Sequence, residues 1–119
     1  MKVSIVIPVY NDPRIAIALG SIANQKFDGE IEVVVMDGKS TDDTLGVIRG
    51  FGKLVTTLVS ERDNGIFDAL NKGIARSTGD VIGLMGADDR YADSYVVQDS
   101  ASALSDEAID ATYGDLVYV

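Results

Sequence analysis

The stretch VSIVIPVYND, Val3 to Asp12, decides the fold of this 119-residue chain. From Val3 to Val9 the residues are almost wholly apolar and mostly β-branched. A run of that kind, without alternation, marks a strand buried on both faces, as in a parallel sheet covered by helices. It breaks at Tyr10-Asn11-Asp12, so polar groups stand at the strand's carboxyl end. Pro13 then opens a helix whose apolar face is Ile15, Leu19 and Ile22.

The same alternation continues along the chain. Ile31–Met36 reads as a second buried strand ending at Asp37. Ser40 or Thr41 can cap the next helix, with Asp42 and Asp43 at the positive end of its dipole. That helix runs to about Gly50, with Leu45, Ile48 and Phe51 inward. Leu54–Ser60 is expected as strand three. A helix with Ile66, Leu70 and Ile74 inward follows, and then strand four, Val81–Met85. Asp93–Leu104 reads as a helix with Val97, Ala101 and Leu104 inward, and Ala111–Val119 as a last strand. Strand–helix alternation implies right-handed crossovers, hence a Rossmann-like α/β layer with a mostly parallel sheet flanked by helices in a single domain. Ligands of such sheets bind at the carboxyl ends of the strands. Those ends carry PVYN, Asp37-Gly38, SERDNG and GADD, whereas the opposite edge reads as bland.

Composition narrows the chemistry. The chain is 46% hydrophobic and 24% charged, with a net charge of −9. That balance opposes nucleic acid as a direct partner and is compatible with a cation, or with an anion bridged by one. It has no cysteine and no histidine, so thiol nucleophiles, zinc–thiolate sites and Ser–His catalysis are excluded. No apolar run reaches the ~20 residues that span a bilayer. The start, MKVSIVIPVYND, breaks too soon for a signal peptide, and a cytosolic chain, or a cytosolic piece of a larger one, is expected.

The candidate site residues follow from position. Asp88 and Asp89 end the fourth strand side by side. Like charges so close repel unless solvated or bridged, and two hard oxygen ligands facing a crevice suit Mg²⁺ or Mn²⁺. The bland reading is a solvated turn capping the following helix; position at a strand end favours the metal. Pro8 and Val9 lead to Tyr10, whose flat face can lie against a planar base. Tyr10 could equally cover the sheet end. Asp37 stands where an acid reads a ribose hydroxyl or a base N–H, or else initiates an Asx turn before Gly38. Gly38-Lys39-Ser40 is not a phosphate loop, because the glycine that motif needs five positions earlier is Val33. In ERDNGIFDALNKG, Asp63 or Asn64 can cap a helix. Arg62 and Lys72 could meet phosphates, but each reads better as part of a solvated helix face.

Taken in series, VSIVIPVYN, VVVMDGKSTDDT, SERDNGIFDALNKGI, TGDVIGLMGADDRYAD and YGDLVYV resemble family 2 glycosyltransferases of the GT-A fold, bacterial cell-envelope and polysaccharide type. The resemblance runs through essentially the whole chain. It implies metal-dependent transfer of a sugar, with inversion, from a UDP- or GDP-type nucleotide-sugar to a glycan or lipid-linked acceptor. It places Pro8, Val9, Tyr10, Asp37 and Asp88 at nucleotide-binding positions and Asp88 and Asp89 at the metal. Two departures stand out. Gly86 occupies the place of the first acid of the DxD pattern. No residue matches the family's catalytic base, and members of this type usually continue about as long again. The expectation is therefore a donor-binding half lacking the acceptor half, with a homodimer formed through an exposed sheet edge. A non-catalytic sugar-nucleotide binder is the alternative. A phospho-acceptor receiver fits less well, since it needs paired acids after strand one, where Tyr10-Asn11-Asp12 stands.

Overall fold

The opening apolar run becomes strand β1, Lys2–Val9, and lies inside a four-stranded sheet. The structure, a computed structural model, describes residues 1–105. Its further elements are α1 (Ile15–Ala23), β2 (Glu30–Asp37), α2 (Thr44–Arg49), β3 (Thr57–Ser60), α3 (Ile66–Arg76), β4 (Val81–Leu84) and α4 (Val96–Leu104). The strand order is β3-β2-β1-β4, and every pairing among the described residues is parallel. The strand expected at Ala111–Val119 lies outside the described residues.

Alternation along β1 splits its side chains between two layers. Val3, Ile5, Ile7 and Val9 join Val33 and Val35 of β2 beneath α1, α2 and α4, where Leu19, Ile22, Ile48, Val97 and Ala101 are buried. Val6 meets Val34, Met36 and Ala69 beneath α3 on the other face. The doubly wound arrangement expected from the alternation is therefore present, with all four carboxyl ends on one edge.

Local boundaries shift where tertiary partners claim residues. Strand β3 starts at Thr57 rather than Leu54, because Gly52–Leu54 forms a 3₁₀ turn with Gly52 at φ 58°. Helix α2 is preceded by Asp43 at its cap position, not by Ser40 or Thr41. The Ser40 hydroxyl is drawn to Asp37, and the Thr41 amide donates to Asn11 Oδ1 at 2.7 Å.

Helix α3 departs most from expectation. Its buried residues are Ala69 and Gly73, while Ile66 and Ile74 are exposed and Phe67 is 78% exposed. The small residues let the helix approach the sheet so closely that a Cβ on Gly73 would stand 2.4 Å from Val6 Cγ1. Lys72 pairs with Glu61, just past β3, at 3.4 Å. Leu70, half-buried, packs against the cluster of Val6, Val34, Met36 and Ala69, and Ile82 and Leu84 of β4 are exposed on the sheet face that carries α3.

The opposite edge of the sheet is not bland. Glu32, 6% exposed, accepts from the Thr78 amide (2.8 Å), the Ser4 hydroxyl (2.7 Å) and the Thr78 hydroxyl (2.9 Å), with Lys2 Nζ at 3.6 Å. Gly79 N donates to Ser4 Oγ at 2.8 Å, so this network ties the turn into β4 to β1 and β2. The Thr78 amide above all, then the Ser4 hydroxyl, hold the Glu32 carboxyl down to about 2 from its ordinary 4.5, against the opposing effect of burial. A depressed carboxyl stabilises the fold fully above its unfolded pKa, and the effect is lost as pH falls through the folded value. Glu32→Gln is expected to cost about 1–3 kcal/mol at neutral pH and to flatten the fall of stability between about pH 4.5 and 2. Urea midpoints across that range check this; parallel curves for the two proteins would contradict it.

Candidate active site

Three loops at the carboxyl edge are built to meet. After β1, Asn11 adopts φ 46° and clamps the neighbouring loop. Its amide donates to Ser40 Oγ at 2.9 Å, and its side-chain oxygen accepts from Thr41 N. Gly38 N donates to Val9 O at 2.8 Å, which ties the end of β2 to the end of β1.

Asp37, the last residue of β2, is only 2% exposed. Its Oδ2 accepts from Lys39 N (3.1 Å), Ser40 N (2.9 Å) and Ser60 Oγ (2.8 Å), while Oδ1 accepts from the Ser40 hydroxyl. Four donors compensate a carboxylate at that depth. Asp37 therefore organises the β2–α2 loop from below. After β3, Asp63 Oδ1 accepts from Gly65 N at 3.0 Å, and Gly65, at φ 106°, turns the chain into α3.

Between these loops lies a cavity of about 590 Å³. Pro8, Val9 and Tyr10 wall one side, Gly38 another, and Arg62, Asp63 and the start of α3 the third. Gly38 is the point of closest approach. A Cβ there would stand 2.9 Å from Asp63 Oδ2 and 3.6 Å from Tyr10 Cβ. The structure thus brings Pro8, Val9 and Tyr10 together around one hollow, with Asp37 beneath its wall rather than in it. Arg62 and Asp63 are residues that sequence reasoning underrated. Their available signals were position directly after the end of β3 and membership of the SERDNGIFDALNKGI stretch.

Asp88 and Asp89 follow β4, which pairs with β1 on the side away from β2. Both are exposed and do not line the cavity. They fold back on Gly86, where a Cβ would meet Asp89 Oδ2 at 2.7 Å and Asp88 Oδ1 at 3.1 Å. Gly86 N donates to Asp89 Oδ2 at 3.1 Å, which leaves the Asp88 carboxylate the freer of the two. Tyr91 anchors this loop. Its amide donates to Ser21 Oγ of α1 at 3.1 Å, and burial pushes its phenol up to about 12. From the β1–α1 loop, Arg14 holds Asp12 in a two-point pair at 2.8 Å each. That bond raises the Arg14 pKa most, and the Asp88 charge raises it further.

Among the described residues no three carboxylates gather as a complete metal cage. Two exposed carboxylates at one turn do fit a cation that keeps waters and takes its remaining oxygens from a phosphate, as Mg²⁺ and Mn²⁺ do.

A doubly wound α/β sheet with a cavity and an acidic pair along its carboxyl edge defines a nucleotide-type binding fold. The family model described as "Glycosyl transferase family 2" matches residues 4–119, and this chain belongs to that family. It is 36% identical to the PGL/p-HBAD biosynthesis glycosyltransferase of Mycobacterium tuberculosis (strain ATCC 25177 / H37Ra), over 96% of this chain and 46% of that protein. The chain thus spans about half the length of the curated relatives it matches. The crystal structure of S. aureus TarS 1-349 in complex with UDP-GlcNAc is similar with a TM-score of 0.79 and 29% identity, covering 90% of this chain and 32% of that one. The mannosyltransferase PcManGT from Pyrobaculum calidifontis, in complex with GDP-Man and Mn²⁺, is similar with a TM-score of 0.81 and 31% identity, covering 87% and 32%.

Proposed function

We propose that this chain supplies the donor-binding part of a metal-dependent, inverting glycosyltransferase that moves a sugar from a nucleoside-diphosphate sugar to a glycan or lipid-linked hydroxyl. The observation that carries the reading is the cavity of about 590 Å³ where the loops after β1, β2 and β3 converge. The exposed ring of Tyr10 offers its face to the base, with Pro8 and Val9 as the wall behind it. Gly38, having no side chain, lets the nucleoside approach the backbone. Asp37 shapes that loop; direct contact with a ribose hydroxyl or base N–H requires Ser40 to yield its place on Oδ1.

Asp88 and Asp89 are the residues proposed to hold Mg²⁺ or Mn²⁺ together with the diphosphate. When bound, the cation neutralises charge that develops on the departing diphosphate. The acceptor hydroxyl attacks the sugar from the face opposite the leaving group and needs a base to take its proton. The base and the acceptor site are assigned to the further length that the curated relatives carry. Work in the cytosol on cell-envelope polysaccharide, and a homodimer through an open sheet edge, belong to the same proposal. Among the described residues no helix is long and apolar enough to cross a membrane. Strand β4 ends the described sheet with Leu84 57% exposed.

Calorimetric titration of UDP and GDP with and without Mn²⁺ tests the core of the proposal, followed by an assay for transfer or hydrolysis of labelled sugar. One nucleotide is expected to bind with an affinity that rises with Mn²⁺. Binding without turnover supports the alternative of a non-catalytic sugar-nucleotide binder. No binding even with metal rejects both. Sedimentation equilibrium on the same sample reads the dimer mass, and a monomer at high concentration removes that part.

A further inference from the structure

The acidic pair sits on a turn early in the loop between β4 and α4, and a side chain from a distant part of the sequence holds that loop's far end. We infer that Gln25 is a positioning residue for the metal-holding turn: its side-chain amide ties the β4–α4 loop to the end of α1 and so fixes where Asp88 and Asp89 stand. The inference rests on the donor-binding reading above and on its metal.

Gln25 lies just past α1 and is half-buried, with its backbone amide donating to Ile22 O at 3.0 Å. Its Nε2 donates to Asp93 O at 2.6 Å and to Ser21 O at 3.2 Å, and its Oε1 accepts from Val97 N at 3.0 Å. Both amide hydrogens and the carbonyl are thus engaged. Turning the amide over would set donor against donor and acceptor against acceptor. Two neighbours complete the clamp. Lys26 N donates to Ser94 O at 2.7 Å, and Tyr91 N donates to Ser21 Oγ at 3.1 Å. Past Asp89, the loop's hydrogen bonds to earlier parts of the chain all go, among the described residues, to Ser21, Gln25 and Lys26.

Part of this arrangement is a helix cap and part is not. Tyr95, at the cap position of α4, supplies no side-chain cap, and Gln25 Oε1 provides one to Val97 N from outside the helix. Capping accounts for the acceptor. It does not account for the donor on Asp93 O, which lies before the helix, between the acidic turn and α4. A loop left free would have to be ordered each time a cation and a diphosphate met on it, and that entropy would be subtracted from their affinity. Helix α1 also follows directly on the Tyr10 wall of the cavity, so the clamp ties the acidic turn to the element that leads out of the nucleotide site.

The test is calorimetric titration of the 119-residue chain with UDP and with GDP, each with and without Mn²⁺. Gln25→Glu is the sharper arm. It keeps an oxygen for Val97 N, and its charge suits a helix N-terminus, but it turns an acceptor toward Asp93 O. The variant is expected to stay folded by circular dichroism, while the gain in affinity that Mn²⁺ brings falls about tenfold and metal-free affinity stays within about twofold. The added negative charge by itself attracts a cation, so it does not explain a loss. Gln25→Met, which makes none of the side-chain bonds, is expected to lose a similar share of the gain. Ser21→Ala, which removes the acceptor for Tyr91 N, is expected to lose about fivefold. A folded Gln25→Glu variant with the full Mn²⁺ gain, or one whose affinity falls equally with and without metal, overturns the inference and leaves the donor-binding reading standing. If neither Gln25 variant folds, Ser21→Ala decides, and the full gain there overturns the inference. Nucleotide binding to the unaltered chain with no gain from Mn²⁺ overturns the metal reading of Asp88 and Asp89. Failure of both nucleotides to bind overturns the donor-binding reading, and the inference falls with either.

Discussion

Leucine in place of Gly73 is expected to unfold the chain at room temperature, and alanine there to destabilise it measurably. The reason is distance. A Cβ on Gly73 falls 2.4 Å from Val6 Cγ1 and 3.0 Å from Met36 Cγ. Both neighbours are buried, Val6 in the middle of β1 and Met36 near the end of β2, so neither can swing aside. Overpacking a core by a few atoms costs about 1–3 kcal/mol. Alanine recovers up to about 1 kcal/mol through its better helix propensity, which leaves a net loss of about 1–2 kcal/mol. Leucine brings three more carbons into the same gap, and its cost of about 4 kcal/mol or more is comparable with the whole stability of a small domain. Gly46 is the control. It lies in α2 with nothing within 4 Å of its Cβ position, so Gly46→Ala is expected to be neutral or to stabilise by up to about 1 kcal/mol. Urea unfolding of the variants reads the contrast directly. Equal midpoints for the alanine variants at positions 46 and 73 would show that α3 does not sit as close to the sheet as described.

The second large effect concerns the acidic pair. Asp88→Ala is expected to abolish the gain in UDP affinity that Mn²⁺ brings, a loss of about 100-fold, while binding in the absence of metal stays unchanged. Asp89→Ala should remove part of the same gain by a different route, since Asp89 Oδ2 also holds the Gly86 amide and shapes the turn. Titration with and without Mn²⁺ separates the two. Should Asp88→Ala retain the full metal effect, the cation is held elsewhere and the acidic pair is a solvated turn. Gly86→Ala bears on the same geometry, because its methyl would enter the space that both carboxylates occupy.

The apolar flank of α3 and the outer face of β4 carry a simpler lesson about reading helices. Ile66, Leu70 and Ile74 form a regular apolar stripe, and periodicity names them as the inner face. The sheet buries Ala69 and Gly73 instead, with Leu70 half-buried beside them and Ile66 and Ile74 left exposed. A helix lying this close to a sheet excludes large side chains from the contact line, so the bulkier residues are pushed to the flank. Periodicity reports where apolar residues are; it does not report how near the partner surface comes.

The sequence by itself determined the parallel α/β order of this protein, the buried runs of β1 and β2, and the placement of Tyr10, Asp37 and Asp88–Asp89 at or just past strand ends. These properties are local: unbroken β-branched runs, helical spacing and turn residues encode them within a few positions. Tertiary structure alone decided the contact line of α3, the network around Glu32, and the burial of Asp37 under four donors. It also decided the union of Tyr10, Gly38, Arg62 and Asp63 around one cavity. Each of these depends on distances between segments far apart in the chain. Such distances are set by how side chains of particular volume and charge pack against one another, and no single segment contains that information.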